Sequence, residues 1–197
     1  MYTEHELRND VDTVIRSVEE ANPMKIGVGL PLYWVAKTAV QHGITEVYSG
    51  NGADELFAGY KKYLDGYLSG RNVEDSLYKD VVNSWRVNFD RDTKICMDQS
   101  VSLRLLFTYP PLIELGLSIP VTMKIDSEHN PKRKIILRKL AKTLGLPNEI
   151  ALKPKKAAQY SSGVSKALRR IAKQEKMNTR DFVKSRFREV FKDKSPD

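Results

Sequence analysis

The residues best placed to do chemistry lie in one stretch, Thr45 to Tyr60, which reads TEVYSGNGADELFAGY. A β-favouring run, Ile44 to Tyr48, enters a tight loop, Ser49-Gly50-Asn51-Gly52, and Asp54, Glu55, Leu56 and Phe57 read as a first helical turn. Strand, glycine loop and helix together can turn backbone N–H groups toward an anion. Gly50 and Gly52 remove Cβ atoms that would block positive φ and close approach of a ligand, and Ser49 adds a hydroxyl donor. Asp54 and Glu55 then matter, because two carboxylates repel a phosphate unless a divalent cation, usually Mg²⁺, lies between them. The stretch therefore suggests a Mg-nucleotide or pyrophosphate site. A plain strand-to-helix turn with Asp54 as an N-terminal helix charge fits the same residues.

The elements that must position this loop follow from periodicity and caps. Thr3 and Glu6 form a capping-box pattern ahead of Leu7, Val11, Val14, Ile15 and Val18 on one helical face, predicting a helix to about Glu20. Lys25 to Leu30 reads as a connector with room for a strand, and Pro31 as the first turn of a second helix closed by Gly43. A helix is expected from Asp54 to about Tyr67, and another over Val73 to Val87 with Leu77, Val81, Val82 and Trp85 inward. Further helices are expected over Asp90 to Leu103, from Pro110 to near Gly116, and over Lys132 to Leu144. Two basic amphipathic helices follow, Val164 to Lys176 and Arg180 to Phe191, the second capped by Asn178 or Thr179. The coarse reading is a helix-rich α/β chain.

Composition narrows the classes. At 197 residues with 41% hydrophobic content the chain can bury a core. Cys96 is the single cysteine, so no internal disulfide forms and a reducing compartment is expected. No apolar run approaches the ~20 residues of a membrane span and no signal peptide opens the chain, so the expectation is a cytoplasmic protein. His5, His42 and His129 are scattered, without metal-ligand spacing. The net charge of +8 is uneven: from Lys153 to Lys192 thirteen cations face three anions. That tail suits an anionic partner such as nucleic acid or an acidic protein face.

Ser49 to Tyr60 resembles the SGxGxDE(L/V)FxGY signature of the asparagine synthetase synthase domain. The resemblance extends to Asp12-Thr13-Val14-Ile15, to Leu30-Pro31-Leu32-Tyr33 and to Lys134-Ile135-Ile136-Leu137-Arg138, which is similar to the family's KxxLR helix. Leu146-Pro147 and Lys153-Pro154-Lys155-Lys156-Ala157-Ala158-Gln159 resemble its "LP…RPKxAxQ" stretch. The resemblance covers roughly residues 10 to 165. It implies a partial adenine-nucleotide α-hydrolase-like domain of the N-type ATP pyrophosphatase kind over 1–165, with a basic helical extension over 166–197.

In this family ATP, with Mg²⁺, activates a carboxylate as acyl-AMP, and an amine displaces AMP. The resemblance implies Lys134 as the catalytic lysine facing the reacting nucleotide. It implies Ser49, Gly50, Asn51, Gly52, Asp54, Glu55 and Lys155 on the nucleotide and pyrophosphate, Asp54 also on Mg²⁺, and Arg104 on the substrate side. The remaining cations near Lys134, namely Lys132, Arg133, Arg138 and Lys139, read as a solvated helix face.

Four departures touch recognition. Asn51 stands where relatives carry a Glu that holds the amino-acid substrate, which leaves the carboxylate substrate open. Ser102 and Tyr109 replace two acids of the family's "E(A/V)RxPFLD" segment, while Arg104 and Phe107 are retained. Lys153 replaces an Arg, and an ammonium cannot reproduce the bidentate guanidinium fork. The family's Ser-Gly-Gly-x-Asp-Ser pyrophosphate loop and its glutaminase half do not occur in these 197 residues. The expectation is a split or partial enzyme that takes that loop from another polypeptide, or completes itself as a homo-oligomer, since the Ile44–Tyr48 strand would have an open edge. The competing reading is a catalytically inactive basic module acting on RNA or a protein partner.

Overall fold

The computed structural model describes residues 2–126, 132–154 and 157–192. In chain order the helices are α1 (Glu4–Val18), α2 (Pro23–Gln41), α3 (Ala53–Leu56), α4 (Lys61–Leu68), α5 (Glu74–Ser84), α6 (Asp90–Asp98), α7 (Pro110–Ser118), α8 (Ile135–Thr143), α9 (Asn148–Ala151), α10 (Ala158–Ser161), α11 (Val164–Gln174) and α12 (Thr179–Phe191). The strands are β1 (Glu46–Ser49), β2 (Ser102–Leu105), β3 (Ile125–Asp126) and β4 (Lys132–Arg133). β1 pairs with β2, and β3 pairs with β4 antiparallel, Ile125 opposite Arg133 and Asp126 opposite Lys132. The helix-rich α/β expectation holds. The chain forms two compact units, one of Met1–Val47, Asn88–Leu103 and Lys156–Asp197, the other of Tyr48–Val87 and Arg104–Lys155.

The first unit is a helical packing built on α1. Thr3 and Glu6 cap each other reciprocally at its start, and Leu7, Val11, Val14, Ile15 and Val18 are buried. Ile26 and Leu30 of α2, Ile95 of α6, Leu168 and Ile171 of α11, and Phe182 and Val183 of α12 complete that core.

The expected connector at Lys25 to Leu30 is helical instead. Asn22 Oδ1 accepts from the Met24 and Lys25 amides, and Pro23 occupies the first turn, so α2 starts well before Pro31. Pro31 sits inside the helix. Gly29, which looks like a breaker, is a contact surface: a Cβ there would lie 2.7 Å from Ile95 Cδ1 and 3.1 Å from Val14 Cγ1. Tight approach of α1 and α6 outweighs the intrinsic helix cost of glycine, about 1 kcal/mol. A second small core joins Ala36, Ala39, Cys96 and Val101. α6 stops at Asp98 rather than Leu103, because Ser100 turns left-handed (φ 57°) and the Ser102 amide then bonds Thr45 O at 2.8 Å.

The second unit carries the glycine loop. The helix expected from Asp54 to Tyr67 is broken in two. Ala58 adopts φ 54° and the Gly59 amide reaches back to Asp54 O at 2.8 Å, which ends α3 after a single turn. Along α5 the buried stripe is Leu77 and Ser84, continued from Val73 just before the helix, with Val81 half-buried beside it. Val82 and Trp85, expected inward, are 62% and 56% exposed, because they lie one residue round from that stripe. A π-helical turn, Trp85–Phe89, then leads into α6. The helix expected from Lys132 begins at Ile135, with Lys132 and Arg133 held in β4. Two apolar clusters form the interior, one around Tyr63, Val73, Leu77 and Ile125, the other around Ala53, Leu56 and Phe57 against Phe107, Ile136 and Leu137. Ile44, ahead of β1, and Tyr48, within it, are 47% and 65% exposed.

Candidate active site around Asp54 and Lys134

The loop between β1 and α3 is shaped by its own groups. The Asn51 amide donates to Ser49 Oγ at 3.1 Å, and the Ala53 amide to Gly50 O at 3.3 Å. Gly52 takes φ 95°, and a Cβ there would lie 2.9 Å from Phe107 Cβ. Both the backbone sign and the Phe107 contact therefore require glycine. α3 has only four residues, so the loop's amides, rather than an extended helix dipole, are what it can offer an anion.

The two acids of the signature part company. Glu55 is 3% exposed and accepts the Tyr60 hydroxyl at 2.7 Å. Asp54 is half-buried and pairs with Lys134, Oδ1 to Nζ, at 2.7 Å. These residues lie 80 positions apart (134 − 54), and only the fold brings them together. Gly59 is the floor beneath the pair. A Cβ there would sit 1.7 Å from Asp54 Oδ1 and 2.3 Å from Lys134 Cε, so any side chain at this position would displace the ion pair.

Lys134 does not ride on a helix face. It is the left-handed residue (φ 57°) between β4 and α8, and its side chain points to Asp54 from that turn. Ile136 and Leu137, in the first turn of α8, anchor it in the second unit's core, whereas Leu140, which the periodicity also puts inward, is 52% exposed.

Two arginines read from sequence as solvated surface brace this turn. Arg133 Nη1 donates to Gly59 O at 2.9 Å. Arg138 donates from Nε to Arg133 O at 2.9 Å, and from Nη1 to Ala151 O at 2.6 Å and Lys153 O at 3.1 Å. The signal available for Arg138 was its place at the end of the KxxLR pattern. Nothing local marked Arg133. Lys124 closes the same turn from below, its carbonyl accepting the Ile135 amide at 3.0 Å. Its side chain is 1% exposed, and burial lowers the pKa of its amine against the opposing pull of Glu74.

Of the remaining residues expected in the site, Arg104 is exposed on β2, and Lys155 lies outside the described residues. Among the described residues, no group of three or more His, Cys, Asp or Glu could hold a metal by itself. A Mg²⁺ ion commonly takes one or two carboxylates and completes its octahedron with phosphate oxygens and water. The half-buried Asp54 carboxylate, close in sequence to the open backbone of Gly50, fits that minimal donor set.

Comparison with known proteins shows the family of the chain. The family model "Asparagine synthase" matches residues 1–75 and 67–195. The chain belongs to the asparagine synthase family. It is 35% identical over 202 residues to a protein of Methanocaldococcus jannaschii named putative asparagine synthetase (glutamine-hydrolyzing) 1, covering 87% of this chain and 37% of that one. Mouse asparagine synthetase domain-containing protein 1 is 32% identical over 77% of this chain and 24% of its own length. Saccharomyces cerevisiae asparagine synthetase (glutamine-hydrolyzing) 1 is 27% identical over 83% of this chain and 29% of its own. The chain thus spans between about a quarter and just over a third of these relatives. Among the described residues no helix is long and apolar enough to cross a membrane.

Proposed function

We propose that this chain supplies part of an ATP-dependent, AMP-forming ligase site of the asparagine synthetase type, on an adenine-nucleotide α-hydrolase-like domain. The observation that carries this reading is the 2.7 Å approach of Lys134 to Asp54 beside the Ser49–Gly52 loop. In the proposed reaction the loop amides and Ser49 hold pyrophosphate oxygens, with Lys155 assisting. Asp54 takes Mg²⁺, which neutralises phosphate charge when bound. Lys134 lies within reach of the same phosphates and stabilises negative charge that grows as a carboxylate oxygen attacks the α-phosphorus and pyrophosphate departs. Arg104 faces the carboxylate substrate, an amino-acid-like acid. An amine then attacks the acyl carbon and AMP leaves.

The pyrophosphate side of such a site also needs a Ser-Gly-Gly-x-Asp-Ser loop, which we assign to another polypeptide or to further protein outside these 197 residues, working in the cytoplasm. The test is pyrophosphate release from ATP with candidate carboxylates, by this chain with and without a polypeptide bearing that loop. Release that requires both, and that falls about 10²–10³-fold in Lys134→Ala, is the expected result. Full activity in that variant, or AMP formation by the pure chain alone, overturns the assignment.

A further inference from the structure

Lys134 sits in a backbone region that a non-glycine residue adopts only when its surroundings hold it there. Those surroundings are three hydrogen-bonded links. Arg133, immediately before Lys134, is tied to the Gly59 carbonyl; Gly59 in turn donates its amide to the carbonyl of Asp54, the partner of Lys134. Arg133 and Lys134 therefore grip the same short segment, one through its backbone and one through its carboxylate. Arg138 then holds the Arg133 carbonyl with Nε and reaches the Ala151 and Lys153 carbonyls with Nη1. A planar guanidinium can span these acceptors at once, and a lysine ammonium on a flexible stem cannot.

We infer that Arg133 and Arg138 are positioning residues for Lys134: Arg133 sets its ammonium against Asp54 through Gly59, and Arg138 locks that turn to the Lys153 segment. Neither arginine need touch the nucleotide. The catalytic part of this inference rests on the reading proposed above, but the geometric part does not, and the experiment separates them.

The isolated chain is treated with an amine-reactive acylating reagent, and labelling of Lys134 and of exposed Lys132 is followed by peptide mass spectrometry. In the parent chain Lys134 labels more slowly than Lys132. Arg133→Met keeps the aliphatic stem and loses the donors, and it is expected to raise the Lys134 rate several-fold. Arg133→Lys, which keeps one donor for the Gly59 carbonyl, restores most of the protection, whereas Arg138→Lys does not. In the active assembly Arg133→Met lowers kcat about 10- to 100-fold, the scale of a misplaced catalytic group, with KM for ATP little changed. A purely structural role would instead lower the melting temperature and leave the Lys134-to-Lys132 labelling ratio alone. An unchanged ratio in a folded Arg133→Met chain overturns the inference. A shifted ratio supports it even if the assembled protein forms no AMP, an outcome that would overturn only the proposed function.

Discussion

At the scale of single residues, Gly59 is the most constrained position in the site. A methyl group there would coincide with Asp54 Oδ1 and press on Lys134 Cε, so Gly59→Ala should break the pair. Its loss of turnover should match that of Lys134→Ala, and Lys134 should label at the rate seen in Asp54→Asn. Lys124 makes a prediction about pH. Burial lowers the pKa of its amine below the ordinary 10.5, so the unfolded chain binds the proton more tightly. Unfolding then takes up protons between the lowered value and 10.5, and stability should rise with pH across that window. Lys124→Met should remove the rise and add about 1–3 kcal/mol at neutral pH, read from urea midpoints over a pH series. Cys96 is fully buried, and burial with nearby Asp92 pushes its thiol up to about 11. Iodoacetamide should therefore leave it unmodified in the native chain and alkylate it once the chain is unfolded.

At the scale of elements, α2 shows how packing overrides local preference. Its start depends on Asn22, which satisfies two amides, and Asn22→Ala should cost about 1 kcal/mol. Gly29→Ala adds a better helix former, worth up to about 1 kcal/mol, yet crowds Ile95 and Val14. Overpacking of a tight core costs about 1–3 kcal/mol, so the net effect should be destabilising, visible as a lower urea midpoint. α8 is set by a different device. Its first turn is fixed by the β4 pairing and by the Ile135 amide on Lys124 O, not by an N-cap side chain.

At the scale of the whole molecule, the basic C-terminal helices contribute to the interior of the first unit. Leu168, Ile171, Phe182 and Val183 are buried with residues of α1 and α2. Two of the tail's cations are engaged on α1, Arg170 with Glu4 and Arg186 with Asp12, while the tail's Glu175 receives Arg8 of α1. Removing residues 164–192 should therefore strip the first unit of its cooperative melt, followed by circular dichroism. The single substitution Phe182→Ala should cost about 3–5 kcal/mol. The engagement of these arginines also reduces what the tail can present to an anionic partner.

The amino-acid sequence by itself determined the parts of this protein that are written locally. The Ser49–Gly52 loop, the capping box of α1, a polar cap at Asn178 or Thr179, and the apolar stripes of α1, α11 and α12 all follow from neighbours within a turn or two. It also singled out Asp54 and Lys134 through their motifs, along with the family to which they belong. Only the tertiary structure decided that the two meet, that Gly59 must be bare beneath them, and that Lys134 projects from a left-handed turn rather than a helix. The same holds for Arg133 and Arg138, whose acceptors are backbone carbonyls up to 74 residues away. A carbonyl is present at every position, so no residue type in the sequence marks which one an arginine will find. The sequence puts Leu77, Val81, Val82 and Trp85 together on the buried face of α5, yet Leu77 and Ser84 are buried while Val82 and Trp85 are exposed. The buried face was settled by what packs against it.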